Sequence, residues 1–237
     1  YKDVIDQASE NGTKAITLAS RGEPTIHPKL NKMIEYARDK ILEIKINTNA
    51  TYLNSELTNK ILDTDLDQVI FSIDSHIKEI YEKIRLRGKF DEVFSNIKNF
   101  INIKKDHPNN ERILTRVSGV YLEQAHKDNG FKEFWLDYVD EVGYVEAFER
   151  WNTYENEIVR DEKYNKPCHY LFDRMYVWFD GITNPCDADY KSKLSPGSAK
   201  FMKIKDIWSN ESYQKLRKKH MNKQRDEVFP CNRCTII

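Results

Sequence analysis

Ala15-Ile16-Thr17-Leu18-Ala19-Ser20-Arg21-Gly22-Glu23-Pro24 runs from a short apolar β-type segment straight into a polar turn, and this join recurs along the first two thirds of the chain. A helical period follows from Leu30 to Ala37. Leu42 to Ile46 is a second strand ending in Asn47-Thr48-Asn49, and Glu56 to Leu62 is helical. Gln68 to Ile73 is a third strand, ending in Asp74. Phe90 to Ile103 is helical, with Phe90, Val93, Phe94, Ile97 and Phe100 spaced along one face. Ile113 to Tyr121 and Glu141 to Phe148 are the fourth and fifth strands, with a helix from Phe131 to Tyr138 between them. Strands separated by helices predict a parallel sheet, because parallel neighbours need crossover connections. Near-continuous apolar strands such as Val69-Ile70-Phe71 fit burial on both faces. Periodicity does not decide between an open sheet and a barrel. Gly22-Glu23, Asn47 and Asn49, and Ser72 and Asp74 all fall just after strands. Ligands of α/β sheets and barrels bind at the carboxyl ends of strands, so one site is expected there.

The chain has 237 residues, room for a barrel-sized domain and a small appendage. Apolar residues make up 39% and aromatic residues 12%; the apolar runs predict a packed core. Lys+Arg and Asp+Glu both number 38, so no net positive field favours nucleic acid or an anionic membrane. The run Lys215, Arg217, Lys218, Lys219, His220 reads as a solvated helix face. No apolar stretch reaches the ~18 residues needed to span a bilayer, and the charged start is unlike a signal peptide. The expectation is a soluble cytoplasmic protein, with neither nucleic acid nor membrane as partner. Tyr1 to Asn11 reads as the second half of a helix capped at Gly12, with no strand before it. An earlier βα unit is therefore expected to be missing.

Glu149 to Lys166 is polar and marks the expected boundary between domains at 1–150 and 151–237; Trp151 and Tyr154 within it read as packing residues. Beyond it come a strand over Met175 to Phe179, a turn at Asp180-Gly181 and one helix from Ile207 to about His220. All four cysteines lie here, at Cys168, Cys186, Cys231 and Cys234. In a reducing compartment they point to metal before disulfides. Cys231 and Cys234 form a CxxC pair, which puts two thiolates on one tight loop. Four thiolates complete either a tetrahedral zinc site or a [4Fe–4S] cluster, and ligand softness does not separate the two.

In order along the chain, these segments resemble the radical S-adenosylmethionine (SAM) enzymes. Gly22-Glu23-Pro24 is similar to the family's GGE-type turn, with Arg21 at its first glycine. Asn47-Thr48-Asn49-Ala50-Thr51 resembles its TNG/TNAT strand end, Ser72-Ile73-Asp74 its SIDG strand end, and Tyr81 to Arg85 the segment that follows. Cys168, Gly181, Cys186 and the later CxxC are similar to the SPASM/twitch extension. The resemblance implies a partial (β/α)6 barrel lacking its first strand, covering β2 to β6 of the family, then a small α+β cysteine-rich domain. It implies SAM bound by Gly22, Glu23, Asn49, Ser72, Asp74 and Arg85. Gly22 and Glu23 would meet the amino group, Ser72 and Arg85 the carboxylate, and Asn49 and Asp74 the ribose or adenine side. It implies an auxiliary [4Fe–4S] cluster on the four cysteines, with Asp187 in Pro185-Cys186-Asp187 as proton acceptor. The implied reaction is cleavage of SAM to a 5′-deoxyadenosyl radical and hydrogen abstraction from a peptide, carbohydrate or small molecule. The electron that cleaves SAM would come from a donor such as flavodoxin or ferredoxin, and an oxidation would follow in which the auxiliary cluster accepts the substrate's electron.

The family's CxxxCxxC loop is not in this sequence, which has no cysteine before Cys168. The second [4Fe–4S] cluster is expected on a missing N-terminal segment, and these residues alone are expected not to cleave SAM. Without the resemblance, Glu23 reads as a turn carboxylate, Asp74 as a helix N-cap, Asn49 as a strand-ending turn residue, Arg85 as a solvated charge, and Asp187 as a turn residue. The rival reading is a non-catalytic barrel with a structural zinc or iron–sulfur site, acting as a binding module. A zinc-stabilised hydrolase fits less well, since neither an HxxEH nor a Gly-x-Ser-x-Gly signature occurs.

Overall fold

A computed structural model describes residues 1–19, 21–121, 129–145, 153–159, 161–162 and 165–236. Its backbone forms two compact units, Tyr1–Ala147 and Phe148–Ile237. Trp151 and residues 146–148 of the expected fifth strand lie outside the described residues.

In the first unit, β1 (Ala15–Leu18), β2 (Glu43–Thr48), β3 (Gln68–Ser72), β4 (Leu114–Val120) and β5 (Glu141–Val145) form one sheet in the order β1-β2-β3-β4-β5. Every neighbouring pair is parallel. Parallel crossovers are right-handed in nearly all proteins, so a sheet wound in one direction carries all its crossovers on one face. A doubly wound sheet would reverse its order, and this one does not. The arrangement is that of a barrel segment, as the resemblance implied.

The register separates two faces. Ile44, Ile46 and Thr48 of β2 align with Val69 and Phe71 of β3 and with Thr115 and Val117 of β4; all seven are buried. Lys45, Asn47, Ser72, Arg116 and Ser118 alternate with them on the opposite, polar face. The connecting helices are α1 (Lys2–Glu10), α2 (Leu30–Arg38), α3 (Ser55–Leu62), α4 (Lys78–Ile84), α5 (Phe90–Asp106) and α6 (Gly130–Leu136). Ile34 of α2, Ile61 and Leu62 of α3, and Ile97 and Phe100 of α5 are fully buried. Phe71 meets Phe100 edge-on at 5.5 Å, which fixes α5 against β3. Gly12 follows α1 with φ +77°, the left-handed conformation that ends a helix. Helix α4 lies where the sequence showed no clear period, because only Tyr81 of its seven residues is buried.

The second unit has little regular structure. Strands β6 (Tyr176–Val177), β7 (Ile182–Asn184) and β8 (Gly197–Ser198) form a small antiparallel sheet. Helices α7 (Tyr170–Asp173), α8 (Ile204–Ser209) and α9 (Glu211–Met221) complete it. The single helix expected from Ile207 to His220 is instead two. Asn210 breaks it by accepting the Tyr213 N–H on its side chain at 2.9 Å, which caps α9. The solvated basic face is also corrected. Lys215 and Lys218 are exposed, but Arg217 and His220 lie on the Tyr213/Leu216 side of α9 and are buried. Tyr154 is buried and packs edge-on against Tyr190 and Phe229. No helix among the described residues is long and apolar enough to cross a membrane.

Candidate functional site

Two groups of predicted residues meet at the carboxyl ends of β1 to β3. The first centres on Glu23. Its Oε1 accepts hydrogen bonds from the Thr25 N–H (3.1 Å), the Thr25 hydroxyl (2.6 Å) and the Thr48 hydroxyl (2.7 Å). Among the described residues its Oε2 accepts only the Asn49 N–H, at 2.7 Å. Glu23 thus caps the short turn Pro24–Ile26 and ties the loop after β1 to the end of β2. One lone-pair direction on Oε2 is left for a further donor. Asn49 Oδ1 accepts the Thr51 N–H at 2.9 Å, an Asx turn that carries the chain through Ala50 at φ +60°.

The second group centres on Asp74, which is 5% exposed. Asp74 is not a helix cap, since α4 starts at Lys78 behind Ile77. Its Oδ1 accepts the Val120 N–H at 3.0 Å, just after Ile73 N–H has bonded Ser118 O. The carboxylate therefore takes the place of the next backbone carbonyl in the β3–β4 ladder. Its Oδ2 accepts Arg85 Nε at 2.6 Å. Arg85 is consequently not a free solvated charge, and the terminal nitrogens of its guanidinium lie outside this pair. Close approach of the two strands here is possible because position 119 is glycine: a Cβ there would lie 2.4 Å from Ile73 O.

Ser72 ends β3 on the polar face of the sheet, paired in register with Ser118. Asn47, on the same face of β2, has a buried Oδ1 with no hydrogen-bond partner among the described residues. A Cβ on Gly22 would meet nothing within 4 Å. An orphaned acceptor, an open glycine and a partly used carboxylate fit the ammonium of a ligand such as SAM, and the terminal nitrogens of Arg85 fit its carboxylate.

In the second unit Cys168, Cys186, Cys231 and Cys234 line one cavity, with Thr153, Leu171, Ala188, Asp189, His220 and Arg225 among its other walls. All four thiols are free. Burial raises the pKa of Cys168, takes Cys186 up to about 12 and raises Cys231 well above the ordinary thiol value. Thiols held this way lose their protons to a bound metal centre, not to water. Among the described residues no three His, Cys, Asp or Glu converge closely enough to hold a single ion. A tetrahedral zinc would need its thiolates about 3.8 Å apart, from Zn–S bonds of ~2.3 Å. Four thiols lining one cavity fit a cysteine-ligated metal centre.

Asp187 is half-buried and does not line the cavity. After burial, its charge is the next influence raising the Tyr176 phenol. Asp189 does line the cavity, but its oxygens are occupied. Oδ1 accepts the Lys193 N–H at 3.0 Å and the Tyr154 hydroxyl, and Oδ2 the Leu194 N–H at 2.7 Å. It staples the loop after Cys186. Sequence reasoning missed the Asp189 staple and the two buried bases of the cavity wall, His220 and Arg225. The helical spacing Tyr213, Leu216, Arg217, His220 was the available signal for His220.

Residues 1–115 match the sequence profile of the radical SAM superfamily, and residues 168–235 match that of the SPASM iron–sulfur cluster-binding domain. The chain is 34% identical over 99 residues to Fe-coproporphyrin III synthase of Methanosarcina barkeri, covering 41% of this chain and 24% of that one. It is 26% identical over 152 residues to the antilisterial bacteriocin subtilosin biosynthesis protein AlbA of Bacillus subtilis, covering 60% and 33%. The chain thus spans about a quarter to a third of these relatives. The crystal structure of Streptococcus suis SuiB bound to precursor peptide SuiA has the same fold, with a TM-score of 0.71 at 14% identity over 91% of this chain and 58% of that one.

Proposed function

Since the chain belongs to the radical SAM superfamily over residues 1–115 and to the SPASM iron–sulfur domain family over residues 168–235, we propose that it serves an enzyme that modifies a peptide by radical chemistry. Proteins of these two families use SAM and [4Fe–4S] clusters. When bound, these groups supply a 5′-deoxyadenosyl radical that takes a hydrogen atom from the substrate, and a second cluster able to accept the electron left behind.

The residues divide the work as follows. Gly22 and Glu23 receive the ammonium of SAM, the glycine through its open backbone and the glutamate through the unused side of Oε2. Ser72 and the outer edge of the Arg85 guanidinium hold its carboxylate, a geometry that suits the arginine fork. Asp74 acts from behind, holding Arg85 by its Nε. Asn49 faces the nucleoside side. The four cysteines hold the auxiliary cluster within a domain we place over 151–237, after a barrel domain over 1–150. Asp187, next to the Cys186 ligand, takes the proton released on oxidation.

The observation that carries this reading is the convergence of all four cysteines on one cavity, in the same chain as the strand-end array. A peptide substrate is supported by the likeness to a bacteriocin biosynthesis protein and to a fold seen with a precursor peptide. None of the 237 residues supplies a CxxxCxxC triplet, so SAM cleavage is assigned only together with such a segment. The test is anaerobic. This chain should bind about four irons with matching sulfide and no zinc, and a form carrying CxxxCxxC about eight. That form, given reductant and SAM, should release 5′-deoxyadenosine and transfer label from a deuterated peptide into it. Zinc alone in the four-cysteine site, or no 5′-deoxyadenosine from the cluster-loaded form, would sink the proposal.

A further inference from the structure

His220 and Arg225 both line the four-cysteine cavity, and each carries a buried N–H that nothing among the described residues accepts. His220 is 1% exposed. Its Nδ1 accepts the backbone N–H of Cys168 at 3.3 Å, so the ring proton sits on Nε2, and Nε2 has no partner. Arg225 is 2% exposed. Its Nε donates to Cys231 O at 3.2 Å and its Nη2 to Cys234 O at 2.7 Å, while Nη1 has no partner. His220 thus grips the backbone of a cysteine segment with one nitrogen and Arg225 with two, and each leaves another unsatisfied.

Both orphans are costly. A buried donor without an acceptor is destabilising, more so when it is charged. The guanidinium adds a buried positive charge, and Arg225 forms no ion pair among the described residues. Buried charges in proteins are paired or face an ion of opposite sign. Asp189, the carboxylate in the cavity wall, serves Tyr154 and two backbone amides and forms no ion pair with Arg225 among the described residues. The remaining candidates around the cavity are the thiolates, once a metal centre has taken their protons. Cysteine-ligated iron–sulfur clusters carry net negative charge, and hydrogen bonds to their sulfurs tune their reduction potentials.

We propose that His220 Nε2 and Arg225 Nη1 donate hydrogen bonds to the sulfurs of the cluster held by Cys168, Cys186, Cys231 and Cys234, and so raise its reduction potential. The inference rests on the cluster reading above. It assigns Arg225 a second duty, as counter-charge to the cluster, and makes both residues positioning groups for the cysteine loops.

The 237-residue chain carries only this cluster site, so it can be tested directly after anaerobic loading. Arg225→Gln should make the cluster harder to reduce. The reduced-to-oxidised ratio at a fixed potential should fall about tenfold, a shift of ~59 mV for one electron. His220→Phe should shift it in the same direction by less, and Arg225→Lys should recover part of the arginine effect. Unchanged potentials in Arg225→Gln and His220→Phe, at wild-type iron content, would overturn the proposal. If the variants do not fold, wild-type chain carrying heavy-nitrogen arginine or histidine decides it. The reduced cluster should show electron-spin-echo modulation from each label, and silence from either would overturn that donor. Absence of iron in the wild type would instead overturn the cluster reading itself.

Discussion

The two units reach order by opposite means. In the first, fully buried Ile34, Ile44, Ile46, Leu62, Val69, Phe71 and Phe100 pack a parallel sheet against its crossover helices. In the second, the strands hold two, three and two residues, and the apolar cluster is small: Leu171, Tyr213, Leu216 and Val228, with Cys168 and Cys231 packed against it. Tyr154, Trp178, Ala188, Ile204 and Ile207 are buried outside that cluster, together with many polar groups, among them Thr153, Thr183, Asn184, Asp189, Arg217, His220 and Arg225. Arg217 lies 4.0 Å from the ring centres of both Trp208 and Tyr213 and donates to Leu171 O and Trp208 O. One unit has a core that suffices. The other has a small apolar core and many side-chain hydrogen bonds around a cavity, and small domains of that kind depend on a metal centre or disulfides for stability.

The largest test of this contrast is to remove what the cavity holds. Metal binding energy in small metal-dependent domains is folding energy, on the order of 10 kcal/mol. Cys231→Ala combined with Cys234→Ala, or anaerobic chelation, should strip hydrogen-exchange protection from residues 168–235. Amides of β2 and β3 should keep theirs. Equal protection of the second unit with and without iron would mean that its hydrogen bonds alone suffice, and the contrast would fail.

Within the first unit the weakest point should be a polar residue at the site. Asp74→Ala removes a buried carboxylate and leaves both the Val120 N–H and Arg85 without an acceptor. The expected loss is about 2–4 kcal/mol, read as a lower denaturation midpoint. Arg85→Ala should cost less stability, since Arg85 is partly exposed, yet weaken SAM binding more than its stability effect would suggest. A matching loss of binding in neither variant would remove this pair from the SAM site.

These expectations also mark where the sequence was legible. The parallel sheet was, because strands buried on the helix side and ended by polar turns leave a pattern that survives without coordinates. The cysteine set was, because CxxC is a local signal. The role of Asp74 was not. It depends on β3 and β4 closing to where Gly119 touches Ile73 O, a contact between residues 46 apart. The burial of Arg217 and His220 was hidden by letter composition: five basic residues in six positions read as surface, although Tyr213, Leu216, Arg217 and His220 share one helix face. The break at Asn210 was a capping signal inside a stretch whose period ran on either side of it.

A smaller effect is expected at Glu23. Glu23→Gln keeps one carbonyl oxygen for the Thr25 and Thr48 donors but offers Asn49 N–H an amide group that cannot accept in the same place. The loss should be about 1–2 kcal/mol of stability. SAM affinity should fall as well, since the amide presents a donor where the ligand's ammonium needs an acceptor. A stability loss with unchanged affinity would leave Glu23 as a structural tie only.

The smallest effect on stability is also the sharpest separation of fold from site. Gly22 and Gly119 are both glycines beside the strand ends, but for different reasons. A methyl group on Gly119 collides with backbone at 2.4 Å, so Gly119→Ala should destabilise the first unit by about 1–3 kcal/mol. A methyl group on Gly22 meets nothing within 4 Å, and its backbone is not in the left-handed region, so the folded protein has no use for a glycine there. Gly22→Ala should therefore change stability by no more than about 0.5 kcal/mol. If the ammonium end of SAM lies against this backbone, the same methyl group stands in its way, and affinity measured by equilibrium dialysis should fall about tenfold, or ~1.4 kcal/mol. Undiminished binding in Gly22→Ala would show that the ligand does not approach the turn after β1, and the ammonium would then have to be held elsewhere on the rim, with the orphaned Asn47 Oδ1 the next acceptor to test.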